Sequence, residues 1–265
     1  MQTKFPGLGP ETVVLVTAGA SGIGRCIAES FLAQGCRVHV CDIAGERVDE
    51  FLQSNSGASG SVIDVGDSEQ VEELYRQFGQ RYDRLDVLVN NAGISGPSAL
   101  VEDTGVSDWE TTIAVDLNSV FYCTRLAAPM LKASAGSLIN LSSTAGTFGC
   151  PHRSAYVAAK WAICGLTKTW AMEMGAAGVR VNALCPGSVG GSRMDGIIAR
   201  DASQRGVDIA TVEKLYTQQM SMQRFVDAQD IANMAVFLAS DLGKSISGQF
   251  IGVDGNTETL TDRMN

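Results

Sequence analysis

Val13–Gly24 reads VVLVTAGASGIG, and the fold turns on how its first five residues are read. VVLVT is a continuous apolar run, too short for a helix and bounded by a glycine turn, as a strand buried on both faces requires. AGASGIG then turns the chain, and a helical pattern runs from about Gly22 to Ala33. Strand, tight turn and returning helix open a βαβ unit. Working outward, the pattern repeats. Strands are expected at Val38–Asp42, Ser61–Asp64, Asp86–Asn90, Ser137–Leu141, Val179–Leu184 and Phe250–Asp254. Helices are expected near 46–54, 68–79, 107–132, 156–176 and 227–240. Seven strands alternating with helices predict an α/β fold, a doubly wound parallel sheet with helices on both faces. No repeat, low-complexity tract or linker divides the chain, so residues 1–265 are expected to form a single domain. One stretch, 186–210, reads as irregular, and such long loops are commonly functional lids.

Composition narrows the classes. Hydrophobic residues are 45% and charged residues 18% of the 265, enough for a buried core and unlike a disordered chain. The net charge of −9 argues against nucleic acid, which needs a positive surface to displace counterions. No apolar run approaches the roughly 20 residues of a membrane span, and MQTKFPGLGPET does not read as a secretory signal. Seven scattered cysteines with no CxxC pair read as small core residues in a reducing, cytoplasmic setting. With only His39 and His152, no metal site is expected.

The glycine turn also has chemistry. A helix N-terminus offers free N–H groups and a positive dipole end, which suits a pyrophosphate. Gly22 and Gly24 allow close backbone approach and close helix–strand packing; a tight strand-to-helix turn wants glycines for its own sake as well. Asp42 tips the balance. It ends the second strand eighteen residues past Gly24, where a carboxylate accepts hydrogen bonds from ribose hydroxyls and repels a 2′-phosphate. Ile43 follows instead of a basic residue, so NAD is expected over NADP; Arg25, which could reach a phosphate, reads as a surface helix residue. Asp64 is placed either to meet the adenine amino group or merely to close a strand-end turn.

A second cluster follows the fifth predicted strand. Ser143 precedes Tyr156 by thirteen residues, and Lys160 follows Tyr156 by four. Residues four apart share a helix face, so the phenol and the amine point into one site. A phenol is a poor base near neutrality. An ammonium at about 4 Å, with an effective dielectric near 20, favours the phenolate by roughly 4 kcal/mol, enough to make it a usable proton acceptor. Such a tyrosine can take a proton from a substrate hydroxyl or return one to a carbonyl, with Ser143 holding the same oxygen.

These motifs together resemble those of the classical short-chain dehydrogenase/reductase family over essentially the whole length. TAGASGIG resembles its T-G-x3-G-x-G turn, NNAG at 90–93 its fourth-strand motif, S…YxxxK its catalytic set, and CPGSV at 185–189 its Pro-Gly turn. The resemblance implies a Rossmann-type fold. It also implies cofactor contacts from Ser21, Ile23, Asp42, Ile43, Asp64, Val65, Asn91, Tyr156, Lys160 and Val189. A homo-oligomer, tetramer or dimer, is implied with the helices near 107–132 and 156–176 against a partner. Two positions depart from the pattern. Ala18 stands where the family has its first turn glycine, which is tolerable if the backbone there keeps a negative φ. Asp116 stands where similar members have an asparagine that completes a proton relay to the lysine; the expectation is that the backbone carbonyl at 116 still serves.

Substrate identity is less legible. The pocket is expected between Ser95–Gly96, Thr144–Ala145, Cys150–His152 and a lid at about 187–220, with Gly190–Gly191 as hinge and Arg193 either solvated or facing an acidic substrate group. The leading expectation is an NAD-dependent enzyme interconverting a secondary alcohol and a ketone on a small polar metabolite: a polyol, sugar or hydroxy acid. The alternatives are a 3-oxoacyl-type carbonyl reductase and a non-catalytic nucleotide-binding protein.

Overall fold

The computed structural model describes residues 4–261. Seven parallel strands run β1 (Val13–Thr17), β2 (Arg37–Asp42), β3 (Ser59–Val62), β4 (Val87–Asn90), β5 (Ser137–Leu141), β6 (Arg180–Pro186) and β7 (Phe250–Val253). They lie in the order β3-β2-β1-β4-β5-β6-β7. The chain therefore builds outward from β1 in one direction, then restarts at β4 on the other side. That reversal opens a crevice at the carboxyl ends of β1 and β4, the place where doubly wound sheets bind ligands.

Every residue of β1 is buried, and successive side chains alternate between the two faces. Val14 and Val16 pack with Phe31, Phe51, Ile231 and Ala235, under α1 (Gly22–Ala33), α2 (Gly45–Ser54) and the helix Ala228–Ala239. Val13 and Leu15 pack with Phe78, Leu131 and Ile163, under α3 (Ser68–Arg81) and the helices Ser119–Ser134 and Ser154–Met174. Each such side chain contributes about 1.5–3 kcal/mol on burial, which is why an all-apolar strand needs both layers.

Several expected elements shift. The third strand ends two residues earlier than expected, at Val62, so Asp64 lies beyond it. Its SGSV sequence is too polar to show a strand; the burial of Ser59 and Ser61 is offset by hydrogen bonds to His39 at 2.8 and 3.1 Å. The long helix expected over 107–132 is broken. It becomes α4 (Val106–Ile113), a π-turn at Ala114–Asn118, and α5 (Ser119–Ser134). Next comes α6 (Ser154–Met174). The stretch expected to be irregular is largely helical, as α7 (Ser192–Arg205) and α8 (Ile209–Thr217), which bury Ile198, Ala202 and Val212 in a small core of their own. The last helix, α9, spans Ala228–Ala239. Ala18 adopts φ +47 rather than the expected negative value. The turn needs that bend to aim the Ala18 carbonyl at Asn91 Nδ2, 3.1 Å away, and it costs roughly 1–2 kcal/mol relative to a right-handed residue.

Candidate active site

Four residues knit the crevice at its root. Thr17 Oγ1 accepts from the backbone N–H groups of Asn91 and Ala92 at 2.9 and 3.0 Å, and Asn91 Nδ2 donates to the carbonyls of Thr17 and Ala18. Gly24 is required by contact: a Cβ there would stand 2.2 Å from the Ala18 carbonyl oxygen and 2.4 Å from Asn91 Nδ2. Gly22 is required by conformation. Its φ is +54, and a Cβ there would meet nothing within 4 Å. The backbone at the first turn of α1 is thus open toward the crevice. Ser21 makes no side-chain cap to that helix.

The strand ends supply the remaining expected cofactor residues. Asp42 is 6% exposed and accepts from Ala44 N–H at 3.2 Å, while Ile43 beside it is 68% exposed. Asp64 Oδ1 accepts from Gly66 N–H at 2.8 Å, closing a turn that leads into buried Val65. Ile23 and Val189 are half-buried. Arg25 is paired with Glu29 at 2.8 Å and lies over the Phe51 ring, away from a phosphate role. Arg47, which no motif pointed to, donates to Ser21 Oγ at 3.2 Å.

A buried polar ladder positions the second cluster. Asn90 Nδ2 donates to Asn140 Oδ1 and Thr124 Oγ1, and Asn140 Nδ2 donates to Thr167 Oγ1, each at 3.0 Å. These bonds lock β4, β5, α5 and α6 together. Ser142 Oγ then donates to the Lys160 carbonyl at 2.9 Å. Gly146 lets that approach happen, since a Cβ there would lie 2.7 Å from the same carbonyl. The outcome is a fixed α6, on which Tyr156 is half-buried and Lys160 only 3% exposed. Lys160 Nζ lies 5.4 Å from the centre of the Tyr156 ring and donates to the Leu141 carbonyl at 3.1 Å. Ser143, in extended backbone just past β5, accepts from Ala145 N–H at 3.1 Å. Tyr156 and Lys160 thus come together beside the carboxyl end of β5, where Ser143 begins the following turn. Ser142, Gly146 and the asparagine ladder were not found from sequence; only their position beside the motifs hints at them.

The π-turn aims Asp116 at this lysine. The side chain is fully buried, its Oδ1 accepts from Ile94 N–H at 2.7 Å, and its Oδ2 has no hydrogen-bond partner. Lys160 Nζ stands 3.7 Å from Oδ2, close enough to pair but beyond hydrogen-bond length. Burial pushes the Asp116 carboxyl above the ordinary carboxylate range, while Lys160, the Ile94 N–H and Arg193 pull it back. The backbone at Gly93 closes over the pair: a Cβ there would lie 3.3 Å from Lys160 Nζ and 3.4 Å from Asp116 Oδ1. A cavity of about 450 Å³ elsewhere, between Arg84, Ser137, Arg180 and Lys244, opens at the opposite end of the strands and holds none of these residues.

Residues 17–256 match the Enoyl-(Acyl carrier protein) reductase family. The chain is 36% identical over 248 residues to a 3-oxoacyl-[acyl-carrier-protein] reductase of Thermotoga maritima, covering 92% of this chain and 96% of that one. It superposes on the crystal structure of an NAD+-bound xylitol dehydrogenase with a TM-score of 0.89 at 25% identity, covering 96% of this chain and all of the other. An actinorhodin polyketide ketoreductase variant with NADPH gives a TM-score of 0.89 at 28% identity, with 94% and 98% covered.

Proposed function

From the premise that the chain belongs to the classical short-chain dehydrogenase/reductase family, and so is an oxidoreductase acting on CH–OH groups, we propose that it is an NAD-dependent enzyme. Its reaction interconverts a secondary alcohol and a ketone on a small polar metabolite. The single observation that carries this reading is the placement of Lys160, buried, with its ammonium against the Tyr156 ring at the crevice. The residues fit a nicotinamide dinucleotide. The open backbone at Gly22 and the first turn of α1 would take the pyrophosphate. Asp42 would hold the adenosine ribose, with Ser21, Ile23, Ile43, Asp64, Val65, Asn91 and Val189 lining the same groove, and Lys160 and Tyr156 would meet the nicotinamide end. When bound, that group supplies the hydride acceptor or donor.

The chain's own residues handle the proton. Ser143 holds the substrate oxygen; Tyr156 takes its proton during oxidation and returns one during reduction. Lys160 favours the phenolate electrostatically. Asp116 fixes the lysine and the loop after β4, and its backbone carbonyl, within the π-turn, serves the relay to the lysine. Residues 187–220 act as a helical cover hinged at Gly190–Gly191, and the whole chain works as one catalytic domain. Exposed Phe121, Trp161 and Met172, on α5 and α6, support a homo-oligomer, with a tetramer favoured. Seven scattered cysteines with no CxxC pair fit a cytoplasmic setting.

A second reading, use of NADP in a 3-oxoacyl-type reduction, draws support from Arg47 on Ser21, a cation at the rim where a 2′-phosphate would sit. The decisive experiment is a screen of secondary alcohols and ketones, with NAD(H) and NADP(H), read by absorbance. Tyr156→Phe should lower kcat by at least about 100-fold. An unchanged rate in that variant would refute the mechanism, and faster turnover with NADPH would refute the cofactor.

A further inference from the structure

The loop that follows β4, residues 93–96, is gripped from two sides by arginines. Arg193 Nη1 donates to the Gly93 carbonyl at 3.4 Å, across a hundred residues of sequence. Arg153 Nη1 donates to the carbonyls of Ser95 and Gly96 at 3.2 and 3.3 Å. Neither arginine has a carboxylate partner among the ion pairs of the described residues. Gly93 is also the residue that lies against Lys160 and Asp116. Three cations therefore converge on one short loop at the reacting end of the crevice, faced by a single buried carboxylate, in a chain whose net charge is −9.

Arg193 is placed at a cost. It sits in the first turn of α7, where the helix dipole disfavours a cation. Asp195, two residues on, forms no ion pair with it among those of the described residues, and the 3.4 Å bond to Gly93 is at the weak end of the range. Most of its fork of donors is left over, exposed at the mouth of the site. A guanidinium held in this way suits a planar oxyanion such as a carboxylate, taken by two parallel N–H groups. Gly191, with φ +122, lies just before the helix and gives its N-terminus freedom to close on such a group.

We propose that the substrate is a carboxylate-bearing secondary alcohol, or the corresponding oxo acid, whose anionic end is held by Arg193 with Arg153 on the opposite flank of the loop. This rests on the dehydrogenase reading above and narrows its substrate class, excluding neutral polyols and free sugars as the best substrates.

The test uses the full chain and matched pairs of compounds: 3-hydroxybutyrate, 4-hydroxypentanoate and 5-hydroxyhexanoate, each against its primary amide, with NADH formation as readout. For at least one pair, kcat/KM should favour the acid by roughly ten- to hundredfold, the range a charge-assisted bidentate contact supports, with the difference carried by KM. Arg193→Leu should bring that ratio close to one, and Arg193→Lys should keep part of it, because the charge remains while the fork is lost. Amides used as well as acids, or a ratio unmoved by Arg193→Leu, would overturn the proposal. So would turnover of neutral polyols with no turnover of any acid, leaving the dehydrogenase reading intact. Absence of any alcohol or ketone activity would instead bring down the reading on which the proposal rests.

Discussion

His39 should make the protein acid-sensitive well above the range where carboxylates titrate. It lies in β2, 4% exposed, with its ring nitrogens 2.8 and 3.1 Å from the Ser59 and Ser61 hydroxyls. The rings of Phe78 and Tyr82 stand edge-on to it, at 5.7 and 6.3 Å. Burial, with a smaller push from Arg81, lowers its pKa from 6.5 to about 4. The unfolded chain therefore binds a proton on this ring that the folded chain refuses. By linkage, stability is intact above the unfolded value and is lost as pH falls through the window from 6.5 to about 4. At about pH 5 the loss from this one ring is about 2 kcal/mol, rising toward about 3 below pH 4. The assay is urea unfolding at about pH 7.5 and about pH 5, at one fixed protein concentration because an oligomer gains stability by mass action. His39→Gln keeps polar partners for both serines but cannot titrate. The wild type should lose about 2 kcal/mol more than the variant between the two pH values. Equal losses would show that the ring is accessible to protons in the folded state and would refute the burial argument.

Other consequences are equally direct. Asp42→Ala should raise the kcat/KM for NADP relative to NAD by at least about tenfold, since the carboxylate is the charge set against a 2′-phosphate; the same substitution paired with Arg47→Ala separates the two rim charges. Gly24→Ala forces a methyl group against the Ala18 carbonyl and Asn91, and should cost on the order of 3 kcal/mol with loss of cofactor binding, seen by thermal melting with and without NAD. Ala18→Gly relieves a left-handed alanine worth about 1–2 kcal/mol but adds about 0.4–1 kcal/mol of unfolded-chain entropy, so melting should rise by the equivalent of roughly 0.5 kcal/mol. Asp116→Asn should leave kcat within about tenfold; a large gain would show that the carboxylate impairs the relay and that the backbone at 116 does not sustain it.

Most of the sheet was readable because a strand buried on both faces has almost no polar residue to disguise it: β1 and β5 lie where VVLVT and SLINL place them. β3 was misjudged because SGSV owes its burial to hydroxyl contacts with His39 and Gln77, which apolar periodicity does not register. The π-turn was missed since one extra residue in a helical turn leaves the apolar stripe before and after it intact. Helices α7 and α8 were missed for a different reason. Glycine at 190, 191 and 196 and a run of charges hide a pair of short helices that bury little except against each other. The Ser143, Tyr156 and Lys160 cluster was readable as a motif, but the residues that hold it were not. Ser142, Asn90, Asn140 and Thr167 act through contacts made only once β4, β5, α5 and α6 are assembled.

The position of Asp116 ties these levels together. The π-turn is what lets one side chain reach both the Ile94 N–H on the loop after β4 and the ammonium on α6. An asparagine would keep the first contact through its carbonyl oxygen, so the exchange alters charge far more than shape. An ionised carboxylate 3.7 Å from Nζ sets a negative charge beside the ammonium and opposes part of the field that Lys160 lends to Tyr156. Burial works the other way, pushing the carboxyl toward its neutral form and restoring that field as the pH falls. Arg193 also bears on this carboxyl, and a substrate anion paired to that guanidinium would cancel part of its pull. Binding of an acid would then favour the protonated Asp116 and leave the field of Lys160 on the phenol less opposed. On that proposal the loop at 93–96 would be where substrate charge and the strength of the base meet, through contacts that three separate segments of the chain supply.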